Sequence, residues 1–268
     1  MDTKKRDKLI AAALGIVIVG TLLTLAVTGH KNAKQEEEES RAEQEAYDNS
    51  IEGITEKMRF CYGAEDTTSL IAMQKKLQEL HPDAAELDTI NGYLAELRDK
   101  YAKMQAEWKK SFDKLKVEND EFEKKTWYYN PYFAHKFFSN NVSLYIGRKG
   151  DKIWPCARIS YTGSDWIFFD EITFLIGEGT FTFAFDKYKN KDTEVSGGLV
   201  AEWVNMSIDQ YPFSYIADIP DFDNAAVRMS GKYTKDRKIT DTEKKAIRTV
   251  VEGYKYLLST GCTGIDTE

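Results

Sequence analysis

The sequence predicts an α+β chain: an N-terminal transmembrane helix, an α-helical coiled-coil or hairpin stalk, and a C-terminal antiparallel β-sandwich-like domain capped by one helix. Three observations lead there. Leu9 to Val27 carries no charged side chain. The stretch from about Lys34 to Lys125 is almost free of helix breakers. From Trp127 onward, short β-type runs punctuated by Gly and Asp/Asn lead into one last amphipathic segment. The implied organisation is a cytoplasmic tail at 1–8, an anchor at 9–28, a stalk at 29–126 and a β-rich head at 127–268.

About twenty apolar residues in a helix rise roughly 30 Å, enough to cross the hydrocarbon core. Lys4, Lys5, Arg6 and Lys8 precede the run, and Glu36 to Glu39 follow it. The basic side is therefore expected in the cytoplasm and the bulk outside it, with Lys31 and Lys34 softening the contrast. A single-pass signal-anchor is favoured over a cleaved signal peptide, whose apolar stretch is usually shorter and ends at a small-x-small site. The membrane, reached through Leu9–Thr28, is the first expected partner.

In the stalk, apolar residues recur at alternating three- and four-residue steps. One segment has Tyr47, Ile51, Ile54, Met58 and Cys61; a second has Leu70, Met73, Leu77 and Leu80. The third runs Leu87, Ile90, Leu94, Leu97, Tyr101, Met104 and Trp108. That spacing makes a narrow seam on a helix. Tyr62-Gly63-Ala64-Glu65 is expected to end the first helix, and Asp66 to cap the second. His81-Pro82-Asp83 separates the second from the third, with Pro82 placed in a first helical turn. A third helix from Pro82 to Lys125 would be on the order of 65 Å long. The seams are covered either by a hairpin or antiparallel bundle within one chain or by homo-oligomerisation.

The predicted strands are Val142–Ile146, Ile153–Tyr161, Trp166–Ile176, Thr180–Phe185, Leu199–Val204, Phe213–Ile219 and Ala225–Ser230. Gly147 to Asp151 and Gly177-Glu178-Gly179 read as hairpin turns, where glycine supplies positive φ. Thr240-Asp241-Thr242-Glu243 matches a capping box, and Ala246, Ile247, Val250, Val251, Tyr254, Leu257 and Leu258 make one apolar face behind it. Gly261 is a suitable stop.

Ser164-Asp165-Trp166-Ile167-Phe168-Phe169, Val227-Arg228-Met229-Ser230-Gly231-Lys232-Tyr233 and Arg237-Lys238-Ile239-Thr240, followed by the helix, carry a resemblance. Over roughly the last 130 residues the chain resembles a β-rich domain of uncharacterised bacterial and prophage-encoded membrane-anchored envelope proteins. The resemblance implies a bacterial origin and this fold. It implies no activity and assigns no functional residue.

A net charge of -7 without a long Lys/Arg run argues against nucleic acid as a partner. No nucleophile elbow, phosphate-cradling glycine loop or His-Glu-x-x-His spacing is present, and no cofactor is expected. Ser111-Phe112-Asp113-Lys114 is a bare Ser-x-x-Lys, expected on the solvated part of a long helix. Trp127, Tyr129 and Tyr132 belong to an aromatic cluster that either packs a joint or offers rings to a ligand. Arg228, on an otherwise apolar strand, either pairs with a carboxylate, faces water or takes an anion. Asp218, Asp221 and Asp223 could hold a hard cation, although their loop lacks the central Gly and terminal Glu of an EF-hand. Cys156 and Cys262 share the β domain and are the one plausible pair for an internal bridge, which a domain outside the cytoplasm permits without requiring.

These readings converge on a non-enzymatic, extracytoplasmic binding or scaffold module of the bacterial cell envelope, whose partner is a protein or an envelope polymer. Two alternatives stand beside it. One is a glycan hydrolase with two carboxylates roughly 5–9.5 Å apart; the other is a structural protein assembling through its coiled coil.

Overall fold

Ser50, Asp66 and Thr240 mark where helices begin, because each side chain accepts an amide that the first helical turn leaves unbonded. The computed structural model describes residues 37–134 and 138–264. They belong to two compact units divided between Lys100 and Tyr101.

The first unit holds α1 (37–49), α2 (Ile51–Gly63), α3 (Thr67–Leu80) and the first part of α4 (Glu86–Phe112). Ser50 Oγ accepts the Gly53 amide at 3.1 Å, which breaks the segment expected to run unbroken from Tyr47. Gly53 permits the break: a Cβ there would stand 2.1 Å from the Tyr47 carbonyl oxygen. Asp66 caps α3 through the Ser69 amide at 3.0 Å. Ile54, Met58, Leu70, Leu77, Ile90, Leu94 and Leu97, all seam positions, come together as one buried cluster. Each such side chain contributes about 1.5–3 kcal/mol when fully withdrawn from water. Tyr62 stacks on Tyr93 beside them, with ring centroids 4.0 Å apart.

The second unit holds two sheets. The larger contains β1 (Lys116–Asp120), β2 (Lys125–Tyr129), β3 (Val142–Lys149), β4 (Lys152–Gly163), β7 (Lys191–Ser196) and β8 (Leu199–Ser207). Their order is β1-β2-β3-β4-β8-β7, and the short β11 (Thr263–Gly264) lies parallel to β4. The smaller sheet, ordered β10-β9-β5-β6, contains β5 (Glu171–Ile176), β6 (Gly179–Phe183), β9 (Ala226–Ser230) and β10 (Thr234–Lys238). All other strand pairs are antiparallel. Helices α5 (Gln210–Asp218) and α6 (Asp241–Ser259) complete the unit.

Alternation along the strands sends Val142, Leu144 and Ile146 of β3 and Ile153, Ala157 and Ile159 of β4 to one face. There they share a continuous core with Ile247, Val250, Tyr254 and Leu257 of α6 and with Ile172, Phe174, Phe183 and Val227 of the smaller sheet. Phe112, at the end of α4, meets Tyr128 and Tyr256 at 5.4 and 5.1 Å.

Two buried carboxylates pin this unit. Glu243 completes the capping box of α6, accepts the Val142 amide at 2.7 Å and pairs twice with Arg237, at 2.7 and 2.9 Å. Glu202 of β8 accepts the amides of Ile167, Phe168 and Phe169 at 2.7, 2.9 and 3.2 Å, and Lys191 Nζ at 2.6 Å. Phe168 takes a φ of 54° to present its amide in that nest.

The mixed α+β content and the β-rich antiparallel sheets agree with expectation, and four features correct it. Among the described residues no helix is long and apolar enough to cross a membrane, so the expected transmembrane helix is not an element of the described fold. The expected anchor at Leu9–Thr28 and the tail before it lie outside the described residues. The third helix stops at Phe112 after 27 residues, about 40 Å, because Lys116–Tyr129 folds into the β1–β2 hairpin. Phe213–Ile219 lies in α5 and the turn after it rather than in a strand. Trp166 to Asp170 is irregular: the Ile167, Phe168 and Phe169 amides are committed to Glu202 instead of a ladder, and the Asp170 amide donates to the Ser230 carbonyl.

Candidate functional site

On β2, β3, β4 and β8 the residues between the core positions project to the opposite face of the large sheet. Three rows cross it. Trp127, Gly147 and Trp154 are in register on β2, β3 and β4, as are Tyr129, Tyr145 and Cys156. Ser143, Arg158 and Asn205 form the third row, on β3, β4 and β8.

The middle of the first row has to be glycine. A Cβ on Gly147 would fall 2.2 Å from the Trp154 ring, so only its absence lets the indole lie across β3. Trp154 then meets Trp127 edge-on, with centroids 5.7 Å apart, and Trp127 meets Tyr145 at 5.7 Å. Tyr145 stacks on Tyr129 at 5.2 Å and donates its hydroxyl hydrogen to Asn205 Oδ1 at 2.9 Å. Arg158 Cζ lies 5.4 Å from the centroid of the Trp203 ring. Trp127, Tyr129 and Trp154 are half-buried, whereas Tyr145, Arg158 and Trp203 are buried.

Burial pushes the Cys156 thiol up to about 12 and the Tyr129 hydroxyl to about 12, the latter with a further push from Glu118. Tyr145 moves the same way, first through burial and then through Cys156. Burial pulls the Arg158 guanidinium down, yet arginine stays protonated in proteins. At neutral pH the face presents neutral phenols, an unreactive thiol and one guanidinium.

Of the aromatic and cationic positions singled out in the sequence, Trp127 and Tyr129 meet on this face, and Tyr132 and Arg228 lie elsewhere. Tyr132 lines a polar groove of about 540 Å³ with Ser111, Lys114, Lys245, Thr249 and Glu252; the Lys245 ammonium stands 4.6 Å over its ring. Ser111 is buried there and donates to Glu252 Oε2 at 2.5 Å, which corrects its expected solvated position. Arg228 points outward from the small sheet and makes a bidentate pair with Asp236 at 2.8 and 2.6 Å.

Asp218, Asp221 and Asp223 are exposed at the end of α5, in the following turn and just after it, and Asp221 pairs with Arg248 at 2.9 Å. Among the described residues no group of three His, Cys, Asp or Glu side chains is placed to hold a metal ion. Cys61, Cys156 and Cys262 are unbridged, with Cys262 against the core and Cys156 on the opposite face. Tyr145, Trp154, Arg158 and Trp203 were not singled out in the sequence. For the first three the signal was the every-second-residue spacing of Tyr145-x-Gly147 and Trp154-x-Cys156-x-Arg158. No protein-family model matches this chain, and neither does any curated protein or solved structure.

Proposed function

We propose that this chain is a non-enzymatic binding module of the bacterial cell envelope, held at a membrane by its uncharged N-terminal run, and that the aromatic face of the large sheet takes an envelope glycan. The observation that carries the reading is the Trp127–Gly147–Trp154 row, in which glycine clears the space for the Trp154 indole to lie across β3 and meet Trp127 edge-on. Half-exposed indole and phenol rings offer apolar area with polar edges, suited to the C–H faces and hydroxyls of sugar rings. The membrane part of the reading is supported by the absence of charge from Leu9 to Val27.

The test is cosedimentation of the full chain, in detergent, with purified bacterial cell-wall glycan. The expected result is saturable binding that Trp127→Ala and Trp154→Ala each weaken by about tenfold or more, the loss typical of a central aromatic contact. Absence of binding, or binding that both variants leave unchanged, would overturn the reading.

A further inference from the structure

Every open sheet ends in strands whose outer N–H and C=O groups lack a ladder partner, and charged side chains are a common way to keep other chains from pairing there. Among the described residues this unit has four such edges. Charge is dense on three: Lys116, Glu118 and Asp120 on β1; Lys191, Asp192 and Glu194 on β7; Lys235 to Lys238 on β10. The fourth, β6, reads Gly179-Thr180-Phe181-Thr182-Phe183 and carries none.

Register defines what β6 leaves open. It pairs with β5 through Ile176–Gly179, Phe174–Phe181 and Ile172–Phe183 around the two-residue turn at Gly177-Glu178. In a two-residue hairpin those pairs exchange the ladder bonds, so the backbone groups of Thr180 and Thr182 point away from β5. Both threonines are exposed, while Phe181 and Phe183 anchor the strand in the core. Tyr215 stacks on Phe181 at 4.6 Å, and Tyr211 beside it is 64% exposed, so apolar surface flanks the open edge.

We propose that β6 is a self-association edge: the β6 of a second copy of this chain pairs with it antiparallel, about a twofold axis through Phe181. The strand's own composition favours a second copy as the occupant. In that register Thr180 faces Thr182 of the other copy, a favourable cross-strand pair, and Glu178 faces Ala184, so no like charges oppose each other. The same operation centred on β1 or β10 would set Glu118 against Glu118 or Asp236 against Asp236. The contact is isologous and closes at two copies.

Sedimentation equilibrium of the full chain in density-matched detergent tests this. The expected behaviour is a monomer–dimer equilibrium. Thr182→Pro, which removes an outward amide not used by β5, weakens the dimer by about tenfold or more with the far-ultraviolet circular dichroism unchanged. Thr182→Lys, which places charge on the edge without touching the backbone, does the same and decides the matter if the proline variant fails to fold. A chain that stays monomeric at every concentration, a dimer that folded variants leave at full strength, or growth beyond two copies would each overturn the proposal.

Discussion

Glu243 is 2% exposed and still behaves as an acid stronger than an ordinary glutamate. Burial acts against the carboxylate, but the Arg237 guanidinium and the amides of Thr240 and Val142 outweigh it, so its proton is lost below the ordinary value of 4.5. A folded-state pKa lower than the unfolded one adds stability that is fully present above about 4.5 and disappears as the pH falls through the folded value. Urea unfolding at a series of pH values should show stability dropping below pH 4.5 in the parent chain and a flatter profile in Glu243→Gln. At neutral pH that variant should lose about 3 kcal/mol, because Arg237 would be left with less than its full partner. A parallel pH profile in the two proteins would exclude this role. The capping half of the same residue was legible beforehand, since Thr240 and Glu243 stand at capping-box spacing. Its bond to Val142 was not, because no local pattern links positions 101 residues apart.

Helices announced by caps were the elements most readily read. Asp66 accepts the Ser69 amide and hydroxyl as its position before α3 required, and Asp66→Ala should destabilise the first unit by about 1 kcal/mol in thermal unfolding. No change in that measurement would show the cap to be dispensable. Elements whose local composition opposed their tertiary setting were misread. Phe213-Ser-Tyr-Ile-Ala-Asp-Ile looks like a strand, since it is aromatic and β-branched. It winds as α5 because Phe213 and Ile216, three apart, both reach the core on helical spacing. Lys116 to Asp120 looks like the continuing charged helix, yet it is drawn into a hairpin by β2, whose Tyr128 fills the core beside Phe112. The candidate ligand face was half legible for a related reason. Trp127 and Tyr129 stand out in a local aromatic cluster, but Trp203 joins them only through strand pairing across three neighbours.

At the scale of the whole molecule, two separate apolar clusters imply two cooperative events. Scanning calorimetry should resolve two transitions. Leu77→Ala, at a fully buried site, should cost about 2–5 kcal/mol in one of them and leave the other in place. A single transition lowered as a whole by that variant would show that the clusters melt together. The long reach of Glu243 also bears on how the chain is made. Val142 must wait for an acceptor lying 101 residues later, which at about 5–20 residues per second means about 5–20 s of synthesis. During that interval Val142, Leu144 and Ile146 have emerged without α6 to cover them. A nascent chain cut short before Asp241 would therefore keep an oily strand surface, the kind that chaperones and proteases recognise. Docking of α6 thus closes a surface that β3 leaves open until Asp241–Ser259 has been made.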